Sequence, residues 1–234
     1  MIYSPKRGSR LAYATSKSPT GPFTYRGYIV DNGVDYPGGN NHGSVACING
    51  QWYIFYHRMT NGTIASRRGC VEKITILPDG TIPPVEMTSL GFEDSLNPYE
   101  ITPADLACVL KGGAFVTEKN VFDRVVTNIQ DGSVIGYKYY DFGDDFGSMT
   151  MEFSAKILGM GCDAVMHILI DGEDGEEIGC CRIGHDSSAI HTIVKSVTGR
   201  HAVFFKITTE YVGWMGEMFR GRNLFELCSF VFLK

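Results

Sequence analysis

The sequence predicts an all-β protein. Three observations carry this prediction: short alternating or aromatic runs recur along the chain, Gly, Pro, Asn and Asp separate them, and hardly any stretch keeps a 3.6-residue period. The 28 glycines, 14 phenylalanines and 12 tyrosines among the 234 residues fit turn-rich β structure. This length allows one large β domain or two smaller ones, and we favour two.

Six short strands are predicted in the first part of the chain. Turn-forming residues separate them, most clearly Asn49-Gly50, Asn61-Gly62 and Pro78-Asp79-Gly80. The predicted strands cover residues 11–16, 23–30, 43–48, 51–57, 63–67 and 72–77. The short connections indicate antiparallel pairing.

The alternation weakens after residue 83, where Pro98, Pro103, Gly112 and Gly113 interrupt it. We expect a first domain over residues 1–100, a linker over 101–113 with one helical turn near 103–110, and a second domain over 114–234. Seven strands are predicted after the linker, at 133–142, 148–157, 164–171, 177–183, 190–194, 201–208 and 224–233. Their even spacing without helices predicts a β-sandwich or jelly roll.

Charge and hydropathy exclude several classes of function. The net charge of −5 is small and the basic residues are scattered, so we expect no nucleic-acid partner. No apolar run approaches the roughly 18 residues that span a bilayer, so we expect no membrane partner. Residues 1–5 contain no apolar signal core, which leads us to expect a cytoplasmic location, with secretion of a longer parent left open.

The seven cysteines form an odd set without CxxC spacing. Neither a disulfide framework nor a zinc site is indicated, and we expect reduced, mostly buried thiols. The adjacent Cys180 and Cys181 fall in an alternating run, which predicts that one faces the core and the other faces solvent. The acidic segment 171–177 lacks the alternation of oxygen ligands that calcium requires, and we interpret it as a solvated hairpin turn.

Five motifs follow one another in the first hundred residues. They are Leu11-Ala12-Tyr13-Ala14-Thr15-Ser16, Ser18-Pro19-Thr20-Gly21-Pro22-Phe23, Asn40-Asn41-His42-Gly43-Ser44, Trp52-Tyr53-Ile54-Phe55-Tyr56-His57-Arg58 and Ser66-Arg67. In this order and spacing they resemble the C-terminal part of a glycoside hydrolase family 43 propeller. The resemblance implies the last one to two blades of a five-bladed β-propeller, from a family of mostly β-xylosidases, α-L-arabinofuranosidases and arabinanases that hydrolyse with inversion.

The same resemblance implies where the chemistry lies. An inverting enzyme of this family uses a general base Asp, a general acid Glu and a second Asp that orients the acid, and the acid and base carboxyls stand roughly 6.5 to 9.5 Å apart. In the family these residues come from earlier blades, and none has a counterpart in this sequence. We therefore expect the chain to be inactive alone.

Two family positions carry over as support for the sugar pocket. His42 matches the axial histidine of the last blade, which in many members binds a central calcium directly or through water. Arg67 matches an arginine that reaches the sugar next to the scissile bond, and Asn41 is expected to support the same pocket. Without the resemblance, His42 reads as a turn or core histidine and Arg67 as a surface arginine. His57 and Arg58 fit packing at a strand end better than function.

The second half resembles a family 6 carbohydrate-binding module, a β-sandwich that often follows family 43 domains. The motifs are residues 128–137 with 140–143, then 197–205 and 223–227. In such modules two aromatic rings at the loop end hold a sugar. The resemblance implies that Tyr137 forms one aromatic wall of the sugar site and that Asn223 is the polar partner. The alternative is that the Tyr137 ring is part of the core. A tryptophan is usual where this chain reads 187–192, and Trp214 is the candidate replacement.

Three functions stay open. The first is part of an inverting arabinofuranosidase or xylosidase acting on plant cell-wall oligo- or polysaccharides, with calcium as the only cofactor considered. The second is a non-catalytic carbohydrate-binding protein that uses the sandwich. The third, without a motif behind it, is an independent enzyme with carboxylates such as Asp35 or Glu72. Because a partial propeller leaves strand edges open, we also expect a dimer or association with the missing blades.

Overall fold

The structure, a computed structural model, describes residues 1–6, 8–32, 40–64, 67–145 and 147–234. The chain divides into two compact units, Met1–Phe92 and Glu93–Lys234. Both are built from antiparallel strands, which confirms the all-β prediction. Among the described residues, no helix is long and apolar enough to cross a membrane.

The first unit contains two three-stranded sheets, with strand orders β1-β2-β3 and β4-β5-β6. Its strands are β1 Ile2–Tyr3, β2 Arg10–Thr15, β3 Thr24–Asp31, β4 Ser44–Ile48, β5 Gln51–Arg58 and β6 Arg68–Ile74. Alternation sends one face of each strand inward, so a small apolar cluster forms. Its buried members are Leu11, Tyr13, Ile29, Val30, Ile54, Tyr56, Ile74 and Ile82.

The strand predicted at 63–67 is wrong for the residues that the structure describes there. Thr63, Ile64 and Arg67 lie outside any strand, and β6 begins at Arg68 instead. The pairing with β5 explains this start, because Arg68 opposes Arg58, the last residue of β5. Thr63 and Ile64 are β-branched and favour a strand by propensity, but the pairing with β5 sets where β6 begins, so propensity alone misplaced the element.

The second unit is a sandwich of two sheets. One sheet has the order β15-β12-β17-β10-β9, with β7 also pairing β17, and the other has the order β14-β13-β16-β11-β8. The strands are β7 Thr102–Pro103, β8 Val109–Lys111, β9 Phe115–Glu118, β10 Arg124–Thr127, β11 Val134–Asp141, β12 Thr150–Gly159, β13 Ala164–Ile170, β14 Glu176–Ile183, β15 Ala189–Lys195, β16 Arg200–Thr208 and β17 Phe225–Leu233. A short helix, α1 Gly213–Phe219, lies between β16 and β17.

The boundary between the units differs from the prediction. It falls after Phe92, and residues 101–113 are part of the sandwich and not a linker. Thr102 and Pro103 pair with β17, and β8 pairs with β11. The expected helical turn is present as a 3-10 turn at Ala104–Leu106. Proline and glycine interrupt the alternation in this segment, so the sequence pattern did not predict the two short strands β7 and β8.

Aromatic rings fill the space between the two sheets. Phe205 and Phe230 have ring centroids 4.9 Å apart, and Phe153 and Phe205 have centroids 5.5 Å apart. These rings and Phe232 are fully buried or nearly so. Cys181 is buried and Cys180 is exposed, as the alternation predicted. The acidic segment forms the hairpin turn between β13 and β14.

Candidate functional site

The candidate site of the first unit lies where the chain enters β4. His42 and Gly43 directly precede this strand, and His57 is next to the last residue of β5. The paired part of β4 and β5 ends with Ser44 opposite Phe55. Two residues further along β5, His57 lies beyond its pairing with β4, although it still pairs with Gly69 of β6 on the other side. On the side of β4, asparagine side chains make the hydrogen bonds of its backbone.

Two asparagine side chains hold the backbone of His57. The His57 N–H donates to Asn41 Oδ1 over 3.2 Å, and Asn32 Nδ2 donates to the His57 carbonyl over 2.9 Å. Both asparagines are buried, with 0% exposure for Asn41 and 1% for Asn32. A buried backbone group without a partner would cost about 1–3 kcal/mol, so these amides replace a neighbouring strand. Asn41 thus acts on the site through His57.

The ring of His57 braces the turn that carries His42. Its Nδ1 accepts the His42 N–H over 3.3 Å, and its Nε2 lies 2.9 Å from the Asn40 carbonyl oxygen. Both contacts are satisfied only by the neutral imidazole with its proton on Nε2, because Nδ1 must accept and Nε2 must donate. Burial lowers the pKa of His57, and the charges of Arg67 and His42 lower it further. The environment therefore favours this neutral tautomer.

Gly43 permits the close approach of this turn to the neighbouring strands. A Cβ atom at this position would lie 2.2 Å from the Phe55 carbonyl oxygen and 2.5 Å from Leu11 Cδ1. Real Cβ atoms do not come this close to backbone, so any larger residue would push the turn away from β5. Glycine is thus required for His42 to sit beside His57.

The structure brings His42 and Arg67 to the same histidine. The rings of His42 and His57 have centroids 5.6 Å apart, and the charge of Arg67 acts on His57. The side chains of His42 and Arg67 are exposed. The predicted pair therefore converges on one surface with His57 beneath it, and its contact with a sugar stays a prediction. The sequence predicts only a packing role for His57. Its two ring hydrogen bonds show that it also positions the turn that carries His42.

The residues around His42 do not fit a calcium ion by themselves. Calcium takes six to eight oxygen ligands, whereas the neighbours of His42 are an imidazole and a guanidinium, and Asn41 Oδ1 already accepts a hydrogen bond. Among the described residues, no group of three or more His, Cys, Asp or Glu side chains could hold a metal.

Glu72, one carboxylate of the independent-enzyme alternative, is a structural residue. It is 6% exposed, and Tyr56 Oη donates to its Oε1 over 3.2 Å. The Thr88 N–H donates to Oε1 and the Thr88 hydroxyl donates to Oε2, each over 2.7 Å. Burial raises the pKa of Glu72, against the effect of these donors and of the Arg58 charge. Asp35, the other carboxylate, lies outside the described residues.

The predicted sugar site of the second unit is not assembled as expected. Tyr137 is wrong as an aromatic wall, since it is 0% exposed, packs 4.8 Å from the Phe230 ring and donates its hydroxyl to the Ala104 carbonyl. Asn223 accepts the Ile129 N–H and donates to Thr127 Oγ1, so its amide ties the loop to the sandwich. Trp214 is 73% exposed on α1.

Comparisons with known proteins agree with this architecture. The chain is 44% identical over 174 residues to a xylosidase/arabinosidase of Thermoclostridium stercorarium, covering 60% of this chain and 37% of the relative. It is 31% identical over 224 residues to an arabinoxylan arabinofuranohydrolase of Bacillus subtilis, covering 87% of this chain and 42% of the relative. No protein-family model matches the chain.

A solved structure extends the comparison to the whole chain. It is a glycoside hydrolase family 43 arabinoxylan arabinofuranohydrolase from Bacillus subtilis in complex with cellotetraose, with a TM-score of 0.57 and 27% identity, covering 100% of this chain and 51% of that chain. The match confirms the resemblance to a family 43 glycoside hydrolase, and the second unit has the β-sandwich architecture expected of a family 6-like module. The chain spans about two fifths of the length of the two curated relatives, 37% and 42%.

Proposed function

We propose that the chain is the part of an inverting family 43 glycosidase that supports the sugar pocket and lacks the acid and base. The substrates proposed are arabinose- and xylose-containing plant polysaccharides, in line with the names of the relatives from Thermoclostridium stercorarium and Bacillus subtilis. We infer from the resemblance that the three catalytic carboxylates come from earlier blades. The chain alone should therefore have no glycosidase activity.

The observation that carries this proposal is the convergence of His42 and Arg67 on the neutral ring of His57. A guanidinium presents several N–H donors in a fixed fork, which suits the hydroxyls of a sugar. His42 presents its imidazole beside it, and the His57 ring fixes the backbone of that residue. Such a wall orients a substrate and contributes positioning, not proton transfer.

Turnover of aryl glycosides tests the proposal. The purified chain is incubated with aryl α-L-arabinofuranoside and aryl β-D-xyloside, and release of the phenol is followed. We expect rates equal to the uncatalysed background. Turnover would contradict the proposal, and the variants Glu72→Gln and Asp35→Asn then decide whether the chain is an enzyme with its own carboxylates.

We also propose that the first unit associates with a second copy or with other propeller blades. Within the described residues, its two sheets are three-stranded, with edge strands β1 and β3 in one and β4 and β6 in the other, and several large apolar side chains are exposed: Phe23, Tyr25, Ile48, Trp52 and Phe92. Open strand edges and apolar surface favour association. Sedimentation velocity over a range of concentrations should show a species larger than the monomer. A compact monomer at high concentration would contradict this proposal.

A further inference from the structure

The first unit contains a groove to which the sequence motifs assign no ligand. Its walls are Thr15 at the end of β2 with the turn at 16–18, the start of β3, and the turn at 78–80. It has a volume of about 820 Å³, within the roughly 300–1,000 Å³ that is usual for small-molecule sites. His42 and His57 do not line it, so it is separate from the candidate sugar pocket of this unit.

Arg26, on β3, is held at one wall of this groove. Its Nε–H donates to Thr15 Oγ1 over 2.9 Å. No hydrogen bond within the described chain engages the two terminal amino groups of this guanidinium. A guanidinium that is oriented through Nε and available at Nη1 and Nη2 can form two parallel hydrogen bonds to one carboxylate or phosphate group.

The charge of the groove is positive, in contrast to that of the whole chain. Among the described residues that line it, Lys17 and Arg26 are cationic and Asp79 is the one acid. The lining therefore holds one more positive than negative charge, whereas the net charge of the chain is −5. An excess of one sign of charge in a groove raises the local concentration of ligands with the opposite sign.

Asp79 is held by its own turn. Its Oδ1 accepts the Thr81 N–H over 2.9 Å, and its Oδ2 accepts the Thr81 hydroxyl over 2.8 Å. These hydrogen bonds lower the pKa of Asp79, and the charge of Arg26 lowers it further. Because Thr81 satisfies both oxygens of this carboxylate, the terminal amino groups of Arg26 are left for a ligand.

We infer that this groove binds an oxyanion, namely the carboxylate of an acidic sugar or inorganic phosphate. Arg26 forms the paired hydrogen bonds to the anion, and the ammonium group of Lys17 adds a second positive charge. The Ser16 hydroxyl oxygen accepts the Ser18 N–H over 3.1 Å, so its own proton is available to the same anion. The oxyanion site is independent of the proposed function, and only the acidic sugar as its source rests on that function.

Nuclear magnetic resonance titration of the isotope-labelled full chain with sodium glucuronate, sodium phosphate and glucose tests the inference. Glucose is the matched neutral sugar, because it lacks the carboxylate of glucuronate. At constant ionic strength, we expect saturable shifts of the backbone amides of residues 16–18 with at least one of the two anions and none with glucose. The anion that binds more tightly identifies the source.

Variants separate the charges of the groove. Arg26→Gln should weaken binding of the anion at least about tenfold and Lys17→Gln should weaken it several-fold, because each removes a positive charge. Asp79→Asn should strengthen binding several-fold, since a like charge is lost. Arg182→Gln, at a side chain of the second unit that is 79% exposed, is the control and should leave the affinity unchanged.

Three results would overturn the inference: no saturable shift with either anion, equal shifts with glucose and glucuronate, or equal affinity of the parent and both cation variants for the anion. If Arg26→Gln disturbs the fold, Lys17→Gln and Asp79→Asn decide. Both residues are exposed, and opposite effects of the two variants cannot arise from a general loss of structure. Aryl glycoside turnover is measured separately, so a failure of the proposed function is distinguishable from a failure of this site.

Discussion

The two units are stabilised in different ways. The second has a continuous core of aromatic rings, in which Phe205 lies between Phe153 and Phe230. The first has a small apolar cluster and, beside it, buried polar groups such as Glu72, Arg58 and His57. We infer that packing dominates the stability of the second unit, whereas hydrogen bonds and charge dominate the region of the first unit that forms the candidate pocket wall.

Truncation of the aromatic core should give the largest effect. Phe205→Ala removes a ring that is 0% exposed and is expected to destabilise the second unit by about 4 kcal/mol. Urea unfolding followed by fluorescence of Trp214, in a Trp52→Phe background, reports on this unit. Phe122→Ala, at a residue that is 91% exposed, is the control and should change stability by less than about 0.5 kcal/mol. Equal effects of the two variants would contradict a packing-dominated core.

Removal of the buried carboxylate should give the next largest effect, in the first unit. Glu72→Ala deletes three hydrogen bonds to a buried carboxylate, at a cost of about 3 kcal/mol. Trp52 fluorescence, in a Trp214→Phe background, reports on this unfolding. The exposed Lys17→Ala should leave it unchanged. A loss below about 1 kcal/mol for Glu72→Ala would show that this network contributes little.

The same carboxylate makes the first unit sensitive to pH. Burial raises the pKa of Glu72, so the folded state holds the proton more tightly than the unfolded chain, in which the pKa is about 4.3. The contribution of Glu72 to stability therefore falls as pH rises from about 4.3 through the folded pKa. The Glu72→Gln variant has no carboxyl group at this position that could titrate. The difference in the free energy of unfolding between this variant and the parent should therefore change as pH rises from about 4.3 through the folded pKa. A constant difference would contradict the raised pKa.

A smaller effect is expected from crowding the pocket turn. Gly43→Ala places a methyl group 2.2 Å from the Phe55 carbonyl oxygen, and the strain should cost about 2 kcal/mol. Gly69→Ala is the matched control, because a Cβ at Gly69, on the neighbouring β6, would meet nothing within 4 Å. Urea midpoints read from Trp52 compare the two variants. Identical midpoints would mean that the turn does not depend on the close approach to β5.

The smallest effect is expected from the histidine that braces this turn. His57→Gln should cost about 1 kcal/mol near neutral pH, since a ring with two hydrogen bonds is replaced. Because the folded pKa of His57 is lowered, the parent should lose stability as pH falls below about 6.5, and the variant should not show this part of the loss. His42→Gln, at an exposed side chain, is the control. Ring nitrogen shifts showing Nδ1 protonated at pH 7 would refute the assigned tautomer.

Periodicity predicted most of the fold but not its boundary. The strands from residue 133 onward are close to those observed, because alternation and turn residues mark them locally. The pairings of Thr102 with Phe230 and of Val109 with Gly136 depend on partners far along the chain, and proline and glycine mask the short strands that make them. A sequence pattern carries no information on such distant registers.

The candidate sites were predicted only in part, for a similar reason. Tyr137 and Tyr140 both face the core although they are three residues apart, because the pairing of β11 with β16 shifts register between them. Strict alternation would place these two tyrosines on opposite faces of the strand, so it could not show that both are buried. The link from His57 to His42 spans 15 residues, and the groove places Arg26 beside the turn at 78–80. Only the fold reveals these neighbours.

We propose that the first unit supports a sugar pocket without supplying the catalytic acid and base. The most direct measurement compares arabinose release from arabinoxylan by equal molar amounts of this chain and of the intact Bacillus subtilis relative. The account predicts release by the relative and none by the chain above the level of a heat-denatured sample. Sustained release by the purified chain would contradict the claim.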